Sequence, residues 1–347
     1  IHGSLIASGF QTMLEVFKPV MTEMMRAGFA SPTGLAVGEA RRPSPSAEQV
    51  LVRVAAAGMN RADLNAAKGA GVATAGSFGK PIGMEGAGEI VETGSAVEGF
   101  RPGDKVMCSG TGGYAEYAVA DAGRTLKLDG TALSMDQAAV LPLVLMTAHD
   151  AVVTHGRLEN GGALLVQGAS SAVGLMAMQI ARLRGARLVA GTSGNAQRRS
   201  SLARFGATHV FDPAQPGWVD DLVAATGGTG VDAVVDMVSG PGINDSLKAT
   251  TVLGRIVNVG RLGGASAEFD FDLHAARRID YVGVTFRTRS AAEVREIVRR
   301  MREDLWDEVS AGRIGLPIDR SFSLDDAVAA HEHMRANAHF GKIVLKP

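Results

Sequence analysis

An apolar run from Ala163 to Val166 leads into a turn of small residues, Gly168-Ala169-Ser170-Ser171-Ala172-Val173-Gly174. A helix-patterned segment follows, then a second apolar run, Leu188-Val189-Ala190. Strand, tight turn, helix and strand within residues 163–199 form the first unit of a dinucleotide-binding fold. Small residues let the backbone approach a pyrophosphate, and the helix N-terminus offers unpaired N–H groups and a positive dipole end. Against the pattern G-x-G-x-x-G, the turn keeps only its last glycine, Gly174, in register, with Ser171 at the middle position. Alone it would fit an ordinary strand-to-helix connection. Its place between two buried-type strands favours the cofactor.

The end of the second strand bears on which cofactor. It reads Gly191-Thr192-Ser193-Gly194-Asn195-Ala196-Gln197-Arg198-Arg199. An NAD site usually sets Asp or Glu here to accept hydrogen bonds from the ribose hydroxyls, and this stretch has neither. An adenosine 2′-phosphate would meet hydroxyl and backbone donors at Thr192 and Ser193, then the Arg198 guanidinium, which can bind it bidentately. Two arginines on a solvated helix would leave the missing acid unexplained. The expected cofactor is NADPH.

The elements that must position these residues follow from composition and pattern. A chain of 347 residues suggests about two domains, and 46% hydrophobic content with 44 glycines describes packed cores joined by tight turns. A net charge of −1 gives no electrostatic reason to expect nucleic acid or an anionic membrane surface. Cys108 is the one cysteine, so no intramolecular disulfide forms, and a zinc site would need His and carboxylate ligands almost alone. No apolar stretch reaches the ~18 residues of a membrane span. The N-terminus does not read as a secretory signal, and the default compartment is the cytoplasm. Residues 1–24 read as an extension. Phe10, Met13, Leu14, Phe17, Met21 and Met24 fall at helical spacing, interrupted by Pro19.

From 26 to about 140 the chain reads as β-rich, with strands at Val50 to Ala56, Gly88 to Glu92 and Lys105 to Met107 punctuated by Gly and Pro. Residues 137–154 read as one helix entering a new unit. Strands are then predicted at 163–167, 187–191, 208–211, 231–235, 255–259 and 281–284, with helices at 173–184, 196–205, 218–226 and 243–250. This alternation makes a doubly wound parallel sheet. A charged helix at 291–311 and a strand at Ile343-Val344-Leu345 close the chain, and that strand is expected to return to the first domain.

Several further runs carry a resemblance. They are Gly58-Met59-Asn60-Arg61-Ala62-Asp63-Leu64, Gly83-Met84-Glu85-Gly86-Ala87-Gly88 and Gly113-Tyr114-Ala115-Glu116-Tyr117, then Asp136-Gln137-Ala138-Ala139 before Pro142, the turn, and Gly341-Lys342-Ile343-Val344-Leu345. Together they resemble the zinc-independent quinone oxidoreductases of the medium-chain dehydrogenase/reductase superfamily, nearest the tumour-suppressor-inducible branch, over nearly all of 26–347. The resemblance implies an α/β fold: a GroES-like β-barrel catalytic domain (25–143 and 287–347) with an inserted Rossmann domain (144–286). It implies hydride transfer from NADPH to a quinone-type acceptor, and a homodimer. Zinc-dependent relatives carry a cysteine at the position of Asn60 and a histidine at that of Met84, so no metal is expected.

The resemblance places Asn60 at the nicotinamide pocket, although an asparagine after a strand also suits a turn. Asp63 is expected to cap or brace the next helix. Thr147 matches a threonine near the nicotinamide carboxamide. The turn residues Ser170, Ser171, Ala172 and Val173 would hold the pyrophosphate, with Thr192, Ser193 and Arg198 beyond it. Gly260, Leu262, Phe286 and Lys342 complete the implied cofactor contacts, and Asn60, Asn65, Thr147, Ser171 and Arg287 the candidate acceptor pocket. NADPH-preferring relatives have a lysine at the position of Arg198. A tyrosine that encloses substrate in relatives is Asn65 here, and another after the third strand is Pro213. No catalytic acid is assigned, and His331 and His333 read as a solvated helix face. Two other functions compete: an enoyl or 2-alkenal reductase, and a cofactor-binding regulatory protein with little turnover.

Overall fold

The computed structural model describes residues 23–32, 34–68, 79–110 and 112–347. Almost all of the expected extension therefore lies outside the described residues. The first strands, β1 (Met24–Ser31) and β2 (Gly34–Arg41), form an antiparallel hairpin. The barrel sheet follows: β3 (Gln49–Gly58), β4 (Glu85–Thr93), β5 (Lys105–Ser109), β6 (Tyr117–Asp121) and β7 (Thr125–Lys127).

β3 organises this domain. One edge pairs with β4; the other is divided, Gln49 to Arg53 pairing with β6 and Ala57 and Gly58 with the last strand of the chain. A strand serving three neighbours must bend, and the β3–β4 register shifts at Leu51/Val52 and at Val54/Ala56. Gly88 sits opposite the second shift. A Cβ there would lie 2.0 Å from the Arg53 carbonyl oxygen, so the strands approach this closely only because position 88 is glycine.

The second sheet holds β8 (Ala163–Gln167), β9 (Leu188–Thr192), β10 (His209–Phe211), β11 (Val231–Asp236), β12 (Thr250–Asn258) and β13 (Asp280–Gly283). All are parallel, in the order β10-β9-β8-β11-β12-β13. Every residue of β8 and β9 is buried, as strands covered on both faces require. The order reverses between β8 and β11, opening a crevice at their carboxyl ends. The six predicted strands are all present. β12 begins earlier than predicted, at Thr250, and includes Leu253 at φ 63.

The expected single helix over 137–154 is instead three pieces: Met135–Ala139, Pro142–His149 and a wide π turn at Asp150–His155. Pro142 lacks an N–H and cannot continue a helix, but it suits the first turn of a new one. Val144, Leu145 and Met146 share one hydrophobic core with barrel residues such as Met107 and Leu126, with Leu175 and Met176 of the helix Ala172–Leu183, and with Val294, Ile297 and Met301 of the helix Ala291–Ser310. After that long helix come β14 (Ile318–Ser323), the helix Ala327–Arg335 and β15 (Lys342–Lys346). β15 runs antiparallel to β3, so the chain does return to the first domain and the doubly wound sheet is an insertion.

Gly88→Ala is expected to lower stability by about 2 kcal/mol or more, because a methyl group cannot share space with the Arg53 carbonyl. Thermal or urea unfolding measures this, and a wild-type midpoint would contradict the packing described.

Candidate active site

The glycine turn at the end of β8 is built for close approach. Gly168 has φ +72, and a Cβ on Gly174 would lie 2.8 Å from the Ala169 Cα. A Cβ on Gly191 would meet the Ala169 Cβ at 2.8 Å, so β9 packs against the turn from its other side. Ser171 is the N-cap of the helix Ala172–Leu183 and its hydroxyl accepts from the Gly174 N–H at 3.1 Å. The N–H groups of Ala172 and Val173 remain as first-turn donors without helical acceptors. This cradle fits a dinucleotide pyrophosphate.

Around the turn, the hydroxyls expected to meet the cofactor have other duties. Thr192 Oγ1 donates to Gln167 Oε1 at 2.7 Å and accepts from the Gly168 N–H at 3.1 Å. It is buried and braces the turn, so its hydroxyl does not point at a phosphate. Ser193 Oγ donates to Ser170 Oγ at 3.1 Å. The neighbouring arginines part ways. Arg199 donates to the Ser193 carbonyl at 2.6 Å and forms an ion pair with Asp212 at 3.1 Å. Arg198 reaches the backbone carbonyl of Asn337 and has no carboxylate partner among the described residues.

The barrel side, where Asn60 stands, is dominated by a buried charge pair that sequence reasoning missed. Lys342 Nζ lies 2.7 Å from Glu85 Oε1 and 2.7 Å from Asn60 Oδ1, and Asn60 Nδ2 donates to the same Glu85 oxygen at 2.9 Å. Glu85 Oε2 accepts from the Leu143 N–H at 2.8 Å, at the start of the helix Pro142–His149. The Glu85 and Lys342 side chains are only 0% and 3% exposed, so neither charge is solvated. A Cβ on Gly58 would fall 2.6 Å from Glu85 Oε1. The sequence signal was an acid amid the small, apolar run Gly83–Gly88.

Asp63 braces the helix Arg61–Ala66 as expected, accepting from the Asn60 N–H at 2.8 Å and from the Tyr114 hydroxyl at 2.9 Å. Burial pushes its carboxyl up to about 7 against those two hydrogen bonds. Thr147 bonds back to the Leu143 carbonyl at 2.6 Å, within the helix that Glu85 caps. Gly260 lies against Met237, and the Leu262 N–H donates to the Met237 carbonyl at 3.3 Å, bringing the β11 and β12 loops together. Phe286 packs on the large core, while Asn65 and Arg287 are exposed. Arg289 is engaged elsewhere, paired at 2.6 Å with the buried Asp150.

The reading of His331 and His333 as a solvated face is corrected. His331 is buried, edge-on to Tyr114 with ring centroids 5.8 Å apart, and burial pushes it down to about 4. Ala327, Ala330, His331 and Met334 form the inward stripe of their helix, a spacing the sequence already contains. His333 pairs with Asp319 at 2.8 Å.

Comparison with known proteins places this arrangement. An alcohol dehydrogenase GroES-like domain model matches residues 46–130, and a zinc-binding dehydrogenase model matches 172–303. The quinone oxidoreductase of Rattus norvegicus is 30% identical over 306 residues, covering 87% of this chain and 90% of that protein. The chain belongs to the quinone oxidoreductases of the medium-chain dehydrogenase/reductase superfamily. As a family member it is an oxidoreductase with a nicotinamide cofactor. The Escherichia coli quinone oxidoreductase, solved in complex with NADPH, superposes with a TM-score of 0.82 at 25% identity, covering 94% of this chain and all of that one. A phenolphthiocerol/phthiocerol polyketide synthase of Mycobacterium tuberculosis is 29% identical over 311 residues, which are 90% of this chain and only 14% of that protein. Among the described residues, no group of three His, Cys, Asp or Glu side chains is placed to hold a metal ion. Nor, among those residues, is any helix long and apolar enough to cross a membrane.

Two outcomes follow from the buried network. Lys342→Met leaves the Glu85 charge unpaired and is expected to cost about 3 kcal/mol, much of it recovered in the Glu85→Gln/Lys342→Met double variant; equal unfolding midpoints for single variant and wild type would disprove the pairing. Folding favours protonated Asp63, whose pKa rises from 3.8 to about 7, so its contribution is full below pH 4 and is lost as pH climbs through 7. Asp63→Asn keeps an acceptor and should flatten the decline in stability between pH 4 and 8; an unchanged profile would refute this.

Proposed function

We propose that this chain transfers hydride from NADPH to a quinone without a metal. The observation that carries the reading is the end of β9, where the sequence has no carboxylate for a ribose hydroxyl and, among the described residues, Arg198 lacks an acidic partner while Arg199 has one. A 2′-phosphate supplies the missing counter-charge. The backbone of Ser170 to Val173 would hold the pyrophosphate, and Asn60, Thr147, Gly260 and Leu262 would border the nicotinamide. Bound there, the dihydronicotinamide supplies the hydride.

The chain's own groups orient the reactants and exclude water. Its polar side chains near Asn60 are engaged with one another: Lys342 with Glu85 and Asn60, and Tyr114 with Asp63. Among the described residues of that network, Glu85, Asp63, Tyr114 and Lys342 are all buried. A quinone suits such a site, because its reduced oxygen takes a proton from water. An enone would instead need a donor to polarise its carbonyl. Asn65, standing where relatives carry a tyrosine, is exposed, so the aromatic wall those relatives set against substrate is missing at this position.

The test is steady-state oxidation of NADPH and NADH with 1,4-naphthoquinone and with an α,β-unsaturated ketone. Turnover is expected with the quinone and NADPH, and Arg198→Ala should raise KM for NADPH about tenfold while sparing NADH. Equal effects on the two cofactors would overturn the NADPH assignment. Faster turnover of the enone would overturn the quinone assignment, and cofactor binding without oxidation by either acceptor would favour a regulatory binding protein.

A further inference from the structure

Arg61 and Arg198 come from different domains and meet at one residue. Arg61 opens the helix Arg61–Ala66 beside the barrel, and Arg198 lies in the helix Ala196–Ser201 after β9. Arg61 Nη2 donates to Asn337 Oδ1 at 3.1 Å, and Arg198 Nη2 donates to the Asn337 backbone carbonyl. Asn337 follows the helix Ala327–Arg335 in a left-handed conformation, φ 53, that turns its oxygens to both guanidinium groups. Neither arginine has a carboxylate partner among the described residues.

The surroundings carry the mark of uncompensated positive charge. Partial desolvation, then the nearby Arg198 charge, lowers the Arg61 guanidinium below its ordinary value. His339 stands beside them with a buried Nδ1 that has no partner, and burial followed by the Arg61 charge pushes it down to about 4. Among the described residues, the carboxylate acting on His339 is Asp319, which already pairs with His333. Two guanidinium groups held together by neutral amide oxygens repel one another, and an anion between them would reverse the sign of that interaction.

We propose that Arg61 is the second guanidinium of the 2′-phosphate site, so that Arg61 and Arg198 grip one phosphomonoester from opposite domains. The inference rests on the NADPH reading given above. A phosphomonoester dianion offers enough oxygens for a fork from each arginine. The Asn337 oxygens hold the two forks within reach of each other until the phosphate takes their place. NADPH then bridges the barrel and the nucleotide domain through its phosphate, a link that NADH lacks. Arg61 is thereby a specificity-determining residue contributed by the domain that does not bind the adenine.

The experiment is calorimetric titration of wild type, Arg61→Ala, Arg198→Ala and the double variant with 2′,5′-ADP, 5′-AMP, NADPH and NADH. Arg61→Ala is expected to weaken 2′,5′-ADP and NADPH about tenfold, leaving 5′-AMP and NADH within about twofold. The two single losses should fail to add in the double variant, because both arginines serve one phosphate. Arg61→Gln, a polar and shorter side chain without the charge, should show the same selective loss and stands in if the alanine variant does not fold. Equal losses for NADPH and NADH would assign Arg61 to a group both cofactors share and overturn the proposal, as would unchanged binding of 2′,5′-ADP. Failure of the underlying reading looks different: wild type would then bind 2′,5′-ADP no better than 5′-AMP. If wild type prefers 2′,5′-ADP and only Arg198→Ala abolishes that preference, the NADPH reading stands and Arg61 has no part in it.

Discussion

The Lys342–Glu85 pair, 2.7 Å apart with both charges buried, is the constraint on which the rest of the structure hangs. A buried charge without its partner costs several kcal/mol, so this sheet is satisfied only when the last strand comes back to the first domain. Asn60 bridges the two charged groups from the loop after β3, and the second Glu85 oxygen caps the helix that leads into the nucleotide domain. One carboxylate thus fixes the barrel strand, the C-terminal strand and the interdomain helix relative to one another. The cleft between the domains inherits its geometry from that junction.

A second economy of space operates at the cofactor turn. Ala169 is wedged between Gly174 and Gly191, each so close that an added methyl group would overlap it. Two glycines, one in the turn and one in β9, therefore do the packing of the nucleotide-binding unit. Ser171, at the middle position of the pattern, caps the following helix with its hydroxyl while leaving the first N–H donors open. The degenerate motif keeps the physical requirements of the standard one by other means.

Much of the fold was legible because its signals are local. Fully apolar runs such as Ala163 to Val166 mark strands covered on both faces, and the order of strands and helices prescribes a doubly wound sheet. The helix predicted over 137–154 failed for an equally local reason, since Pro142 starts a new helix where the apolar pattern suggested continuity. The site was less legible. Glu85 stood in a motif with no assigned partner, and Lys342, 257 positions away in the chain, completes it only through strand pairing. His331 read as solvated because its alternation with His333 drew attention from the apolar stripe it belongs to.

By itself the sequence determined the nucleotide-binding unit, the missing acid after β9 and the family motifs, all matters of residue type and short spacing. Tertiary structure decided which side chains remain available for chemistry. Arg198 and Arg199 are alike in sequence, but a helix turns about 100° per residue, so Arg199 meets Asp212 and Arg198 meets the Asn337 carbonyl. Thr192 and Ser193 carry the hydroxyls that the sequence offered to a phosphate, yet Thr192 points inward to hold the turn. The meeting of Arg61 and Arg198 at Asn337 is written nowhere in local pattern. It exists because the chain leaves one domain, builds another and returns, and only the closed fold brings those three residues together.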